Sequence, residues 1–253
     1  MKTVGRFAPS PSGRMHLGNV FSAMMAWLSV RSAGGEMVLR IEDLDPDRCR
    51  PEYAEQLKRD LAWLGLDWDR EQTPQSRRTE AYRAQFARLE AMGLVYPCYC
   101  TRSELHAASA PHASDGNVIY AGTCRALTPA ERAEKTRRPA WRLRVPDRDT
   151  AFRDGVQGLY HENLAHDCGD FIIRRSDGVY AYQLAVVTDD AEAGVTQIVR
   201  GQDLLSSTPR QLYLQELLGL PAPDYYHVPL LTAPDGRRLS KRERDLDMGA
   251  LRE

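Results

Sequence analysis

The chain has 253 residues, enough for one large domain or two small ones around a substantial core. Hydrophobic residues make up 42% and charged residues 27%, a balance that excludes collagen, coiled coil and bulk disorder. With 34 basic against 35 acidic side chains the net charge is −1, which excludes a polybasic binder as a class but leaves room for a local basic face on RNA.

Thr3 to Ala8 (TVGRFA) reads as a short strand, and Pro9 to Gly13 (PSPSG) as a loop that no regular element tolerates. From His16 the pattern turns helical, with Leu17, Val20, Met24, Trp27 and Leu28 on one predicted face, and Gly34-Gly35 stops it. Met37 to Ile41 (MVLRI) is a second strand, followed by acidic residues. Asp43, Asp45 and Asp47 lack the Gly and distal Glu of a calcium loop and read as helix N-terminal charges ahead of Pro51. Pro51 to Leu64 and Thr79 to Met92 are two amphipathic helices, so strand and helix alternate as in a parallel α/β sheet.

From Val95 the character changes. Val95 to Cys124 holds three of the five cysteines, and Ala107 to Asn117 is a Gly/Ser/Ala/His-rich loop. Trp141 to Val145 and Asp170 to Arg174 alternate like strands, with a hairpin turn at Ser176-Asp177-Gly178. Val195 to Arg200 is a further strand and Thr208 to Leu218 a helix. Pro234-Asp235-Gly236 is a turn signal leading into the charged run Arg237 to Asp247. The expected organisation is an α/β domain from residues 1–94 and 186–253, interrupted by an α+β insert over 95–185. No stretch approaches the ~18 apolar residues of a membrane span. Lys2, Arg6 and two prolines at the start do not read as a signal peptide, so a cytoplasmic protein is expected.

Two segments carry phosphate chemistry. In the first, a strand feeds the loop Arg6 to Gly13, which feeds the helix start at His16-Leu17-Gly18-Asn19. Unpaired N–H groups and the positive end of a helix dipole suit a phosphate chain there, and Gly18 leaves space for a flat ring. The second is Arg238-Leu239-Ser240-Lys241-Arg242, where the Lys241 ammonium is a compact charge suited to a leaving pyrophosphate. Odd cysteine number argues against a closed disulfide framework. Cys98, Cys100 and Cys124 in one short segment point instead to a metal.

Together these segments resemble class I aminoacyl-tRNA synthetases. His16-Leu17-Gly18-Asn19 is similar to their "HIGH" signature, and Arg238 to Arg242 to their "KMSKS" loop. Arg6 to Gly13 (RFAPSPSG), Leu39 to Asp45 (LRIEDLD) and Val199 to Arg210 (VRGQDLLSSTPR) are similar to the glutamyl subgroup. Gly201-Gln202-Asp203-Leu204 stands where glutamyl-tRNA synthetases commonly show Gly-Glu-Asp-His, and the chain stops at Glu253, soon after Lys241. Both features resemble the truncated glutamyl-Q tRNA(Asp) synthetase family, which attaches glutamate to queuosine at the wobble position of tRNA(Asp).

The resemblance implies a Rossmann-like parallel sheet with an inserted zinc-binding subdomain, and a monomer. It implies ATP, L-glutamate and queuosine-containing tRNA(Asp) as partners, Mg²⁺ with the ATP, and a structural Zn²⁺. His16 and Lys241 would be catalytic, with Gly18, Asn19 and Ser240 joining them at ATP. Arg6, Ala8, Ser10, Glu42, Tyr182 and Arg200 would bind glutamate: Glu42 accepting from the ammonium, the arginines holding the side-chain carboxylate, Tyr182 closing the pocket. Cys98, Cys100, Tyr120 and Cys124 would hold zinc, with His106 and His112 as alternatives for the fourth place. The basic pairs Arg77-Arg78, Arg137-Arg138 and Arg174-Arg175 would be solvated or meet RNA phosphates. The competing functions are a minimal glutamyl-tRNA synthetase that charges the tRNA 3′ end, and a catalytically silent RNA-binding module.

Overall fold

A computed structural model describes residues 2–101, 103–104, 119–232 and 248–252. His106, His112, the Pro234–Gly236 turn, Ser240 and Lys241 lie outside the described residues.

Strands β1 (Val4–Phe7), β2 (Glu36–Leu39) and β3 (Arg70–Glu71) pair in parallel, as do β9 (Gln197–Gly201) and β10 (Asp224–Val228). The two ribbons adjoin through β1 and β9. Thr196 N–H donates to the Val4 carbonyl at 2.9 Å, and further along Arg6 Nη1 reaches the Val199 carbonyl at 3.5 Å. Residue numbers climb together on both strands, so all five run the same way in the order β3-β2-β1-β9-β10. Successive strands move outward on one side of β1 and on the other side of β9. A crevice therefore opens between the carboxyl ends of β1 and β9, the position where open α/β sheets bind ligands.

Helix α1 (Leu17–Ser32) packs on β1 and β9, and α2 (Pro51–Trp63) completes a core with Met37, Leu39, Leu57 and Leu61. The buried residues of α1 are Val20, Ala26 and Val30, whereas Met24 and Leu28 are 40% and 46% exposed. The helix is apolar nearly all round, so periodicity alone assigned its inner face wrongly at Met24 and Leu28. The Asp43 carboxylate does not serve the start of α2: it accepts from Ser76 N–H and Oγ at 2.8 and 2.7 Å, and Glu52 is the acid in the first turn of that helix.

A second core lies where α3 (Thr79–Ala91), α6 (Tyr182–Glu192) and α7 (Thr208–Leu218) meet the insert. The described residues of the segment expected as an insert form a three-stranded antiparallel sheet, β4 (Val95–Cys98), β5 (Ala140–Leu143) and β8 (Phe171–Arg174), and the short helices α4 (Pro129–Ala133) and α5 (Leu164–Asp167). Helix α6 runs unbroken through residue 185, where the insert was expected to end.

Sequence patterning missed β3, the hairpin β6 (Asp149–Asp154)–β7 (Gly158–Asn163), β10 and α6. The hairpin belongs to the insert in sequence, yet it docks on β10 of the parallel sheet. Gly155 N–H donates to the Tyr225 carbonyl at 2.9 Å, and a Cβ on Gly155 would come within 2.1 Å of the Tyr226 ring. Only glycine allows that approach.

Candidate active site

A cavity of about 510 Å³ occupies the crevice. Its walls are the end of β1 and the following loop (Arg6, Ala8, Ser10), the start of α1 (His16, Gly18, Asn19), Glu42, Tyr182, and the end of β9 with Arg200 and Gly201. All the described residues expected at glutamate and ATP thus line one space.

His16 is the N-cap of α1. Its Nδ1 accepts from Gly18 N–H at 3.1 Å, while Asn19 Oδ1 accepts from His16 N–H at 3.2 Å, a reciprocal capping box. With Nδ1 accepting, the neutral imidazole carries its proton on Nε2. A Cβ on Gly18 would stand 3.0 Å from His16 Cε1, so glycine lets the ring lie against the backbone. Two described residues, one on either side of the segment 233–247, meet this region. Leu231 lines the cavity before it, and Met248 N–H donates to the Met15 carbonyl at 2.9 Å after it, where α8 (Met248–Arg252) begins.

In the same cavity lining, Arg6 is 6% and Arg200 4% exposed. Arg6 Nε and Arg200 Nη1 are both buried without a hydrogen-bond partner. Arg6 is ion-paired to Asp190 at 3.6 Å. Burial lowers the pKa of Arg6, opposed by Asp190 and reinforced by the charges of Arg40 and Arg200. Arg6 Nε faces Asp190, whereas Arg200 Nη1 has no acceptor among the described residues; two neighbouring buried guanidiniums, one with a spare donor, suit an anion. Glu42 supplies the opposite charge. It is 8% exposed and accepts from Arg40 Nη2 at 2.9 Å. Burial pushes its carboxyl pKa up, against the pull of Arg40 and Arg6. The Tyr182 hydroxyl is likewise raised, first by burial and then by the negative charge of Glu42.

Behind this wall lies a charged network that sequence reasoning missed. Arg40, fully buried, reaches Asp190 at 2.6 Å and stands 3.8 Å from Asp189. Asp189 also takes hydrogen bonds from Tyr82, from Gln75 at 2.7 Å and from Arg78 at 2.6 Å. Arg78 is therefore neither solvated nor turned to RNA. The signal that was present is Thr188-Asp189-Asp190 directly after the apolar run Leu184 to Val187 in one helix, with Arg40 inside an apolar strand. Buried acids require cationic partners.

Away from the cavity, the sulfurs of Cys98, Cys100 and Cys124 lie within 4.8 Å of one another. Cys100 and Cys124 are 3.6 Å apart, and Tyr120 Oη is 3.6 Å from Cys98 Sγ. Tyr99 N–H donates to Cys124 Sγ at 3.4 Å. Burial and the neighbouring sulfurs push Cys100 up to about 12, and burial also raises Tyr120. Cys98, by contrast, is drawn down against burial by a hydrogen bond from Arg142. Such crowding of acidic groups fits a divalent cation, which would let the thiols ionise together. Three close cysteines able to bind a metal are thus in place. Cys49 and Cys168 stand apart from them.

Residues 2–250 match the family model for tRNA synthetases class I (E and Q), catalytic domain. The chain is 55% identical to the glutamyl-Q tRNA(Asp) synthetase of Nitratidesulfovibrio vulgaris, over 98% of this chain and 80% of that protein. It is 52% identical to the protein of the same name from Neisseria meningitidis, over 94% and 80%. Among solved structures it superposes on a glutamate tRNA ligase from Elizabethkingia meningosepticum with a TM-score of 0.83 at 30% identity. That match covers 97% of this chain and 53% of the ligase, so the chain spans about half the length of the solved enzyme. On the family model and these relatives, the chain belongs to the class I glutamyl/glutaminyl-type synthetases and, within them, to the glutamyl-Q tRNA(Asp) synthetase family.

Proposed function

We propose that this chain activates L-glutamate with ATP and transfers the glutamyl group to queuosine at the wobble position of tRNA(Asp). The relatives that bear that name support the reading. The observation that carries it in this molecule is the charge pattern of the crevice: the buried guanidiniums of Arg6 and Arg200, the latter with Nη1 unpaired, line the same cavity as Glu42. An amino acid with a carboxylate side chain matches that pattern. The side chain meets the arginines, the ammonium meets Glu42, and the α-carboxylate remains free.

In the first step an α-carboxylate oxygen attacks the α-phosphorus of ATP. The new C(O)–O–P bond forms as the bond to the β-phosphate oxygen breaks, and pyrophosphate leaves. The attacking carboxylate is already ionised at neutral pH, so no base is needed, and rate comes from positioning and charge stabilisation. His16 Nε2–H and the N-terminus of α1 would receive the phosphates, Asn19 and Gly18 would lie along the nucleotide, and Ser240 and Lys241 would steady the leaving group. Mg²⁺ bound to the triphosphate supplies further positive charge. In the second step a hydroxyl of the queuosine ring attacks the adenylate carbonyl, giving an ester and AMP. Zinc held by Cys98, Cys100, Cys124 and Tyr120 would tie the insert together, with no open position for catalysis.

The test is incubation with ATP and labelled glutamate, without RNA and then with queuosine-containing tRNA(Asp) or tRNA(Glu). Pyrophosphate exchange without RNA, followed by alkali-labile label in the anticodon loop of tRNA(Asp), is expected. Label at the 3′ end of tRNA(Glu) would establish the charging enzyme instead, and absence of exchange with any amino acid would leave a silent module.

A further inference from the structure

Arg200 on β9 stands opposite His227 on β10 in the parallel register, and His227 is 0% exposed. The imidazole is held from both ends. Its Nδ1 lies 2.6 Å from Asp154 Oδ2, and its Nε2 lies 2.9 Å from Arg200 Nε. A guanidinium Nε–H only donates, so Nε2 must accept and Nδ1 must carry the ring proton toward the carboxylate. Asp154 is itself fixed, accepting from the backbone N–H groups of Val156 and Gln157 at 2.9 and 2.8 Å and from His227 N–H at 3.1 Å. Arg200 Nη2 donates to Thr208 Oγ1 at 2.8 Å. The Tyr225 ring stacks on the imidazole at 6.1 Å, with an interplanar angle of 7°.

Hydrogen bonds thus occupy Nε and Nη2 of Arg200 and leave Nη1 without one, on a residue that lines the cavity. We infer that Asp154 and His227 act as positioning residues that lock the Arg200 guanidinium so that Nη1 is presented to the side-chain carboxylate of the amino acid. The inference rests on the glutamate reading and deepens it. The preference for a carboxylate over an amide is held by a rigid donor. An amide oxygen could accept from Nη1, but its NH₂ group would meet a wall composed of further N–H donors. Asp154 comes from the tip of the β6–β7 hairpin, so a piece of the insert fixes amino-acid choice in the parallel domain.

Two substitutions separate the ends of the relay. His227→Asn keeps a donor near Nδ1 for Asp154 but removes the acceptor for Arg200. His227→Gln places an oxygen where Nε2 stood and releases Asp154. In pyrophosphate exchange, His227→Asn is expected to raise the glutamate KM about tenfold with the ATP KM unchanged, and to narrow the preference for glutamate over glutamine. His227→Gln keeps the acceptor but loses its tether to Asp154, so a smaller rise in the glutamate KM, about threefold, is expected, again with the ATP KM unchanged. Equal changes in both variants, no change in either, or parallel rises in both KM values would overturn the relay. If His227→Asn does not fold, Thr208→Val removes at constant volume the hydroxyl that contacts both Arg200 Nη2 and His227 Nε2, leaving Nη2 only the Leu204 carbonyl at 3.4 Å, and an unaltered glutamate KM there is equally fatal. An unsubstituted protein without glutamate-dependent exchange defeats the activity reading by itself. Calorimetric binding of glutamate to Thr208→Val and to the unsubstituted protein then decides the relay, with equal affinities counting against it.

Discussion

Arg40 and Asp190 meet at 2.6 Å with neither side chain open to solvent, and Asp190 stands between Arg40 and Arg6. The acid is thus a shared counter-ion beneath the crevice. Asp190→Asn is expected to lower unfolding free energy by about 3–5 kcal/mol, because removing one partner strands buried positive charge. Urea denaturation measures this, and a loss below about 1 kcal/mol would count against the shared-partner reading.

Arg200→Lys retains the charge but not the planar fork. The glutamate KM is expected to rise roughly ten- to hundredfold, corresponding to about 1.5–3 kcal/mol for a charge-assisted bond, while the ATP KM stays put. Steady-state pyrophosphate exchange separates the two constants.

Acid should weaken glutamate binding before it weakens ATP binding. Burial raises the Glu42 carboxyl above its ordinary 4.5, so it gains a proton at a higher pH than an exposed carboxyl does. The ionised form is the one that accepts from the substrate ammonium, so the glutamate KM increases as pH falls through that raised value. Glu42→Gln is expected to abolish this limb of the profile.

Lys241→Ala is expected to slow adenylate formation far more than it weakens glutamate binding, since the role proposed for its charge is on the pyrophosphate that departs in the transition state. Single-turnover exchange together with equilibrium binding checks this; equal losses in both would remove Lys241 from that role.

Gently purified protein is expected to carry one zinc ion per chain, measured by atomic emission. Cys124→Ser or chelation should lower the melting temperature of the insert without changing the KM values for ATP and glutamate. Metal-free protein of unchanged stability would dismiss the site.

Legibility followed the kind of signal involved. Strand–loop–helix alternation marked β1, α1, β2, α2 and α3 within a residue or two, because caps, prolines and glycines punctuate those stretches. Helix α7 matched Thr208–Leu218 at both ends, with Pro209 inside its first turn and Gly219 in a left-handed conformation after it. The residues that line the crevice were legible as motifs. What escaped were partners distant in sequence: Asp154 beneath His227, and Asp189 and Asp190 beneath Arg40. Local patterning carries no information about which buried charge meets which, and β3, with two residues, is too short for alternation to register.

The adjacency of Val4 and Thr196 has a consequence for biosynthesis. The middle of the parallel sheet unites residues 192 positions apart, so the first strand emerges from the ribosome long before its inner neighbour exists. Until β9 appears, one edge of β1 stays open to any other extended segment, and cavity assembly is a late, slow event. Slow refolding from denaturant, and aggregation of nascent chains truncated before residue 196, are the marks such an arrangement leaves.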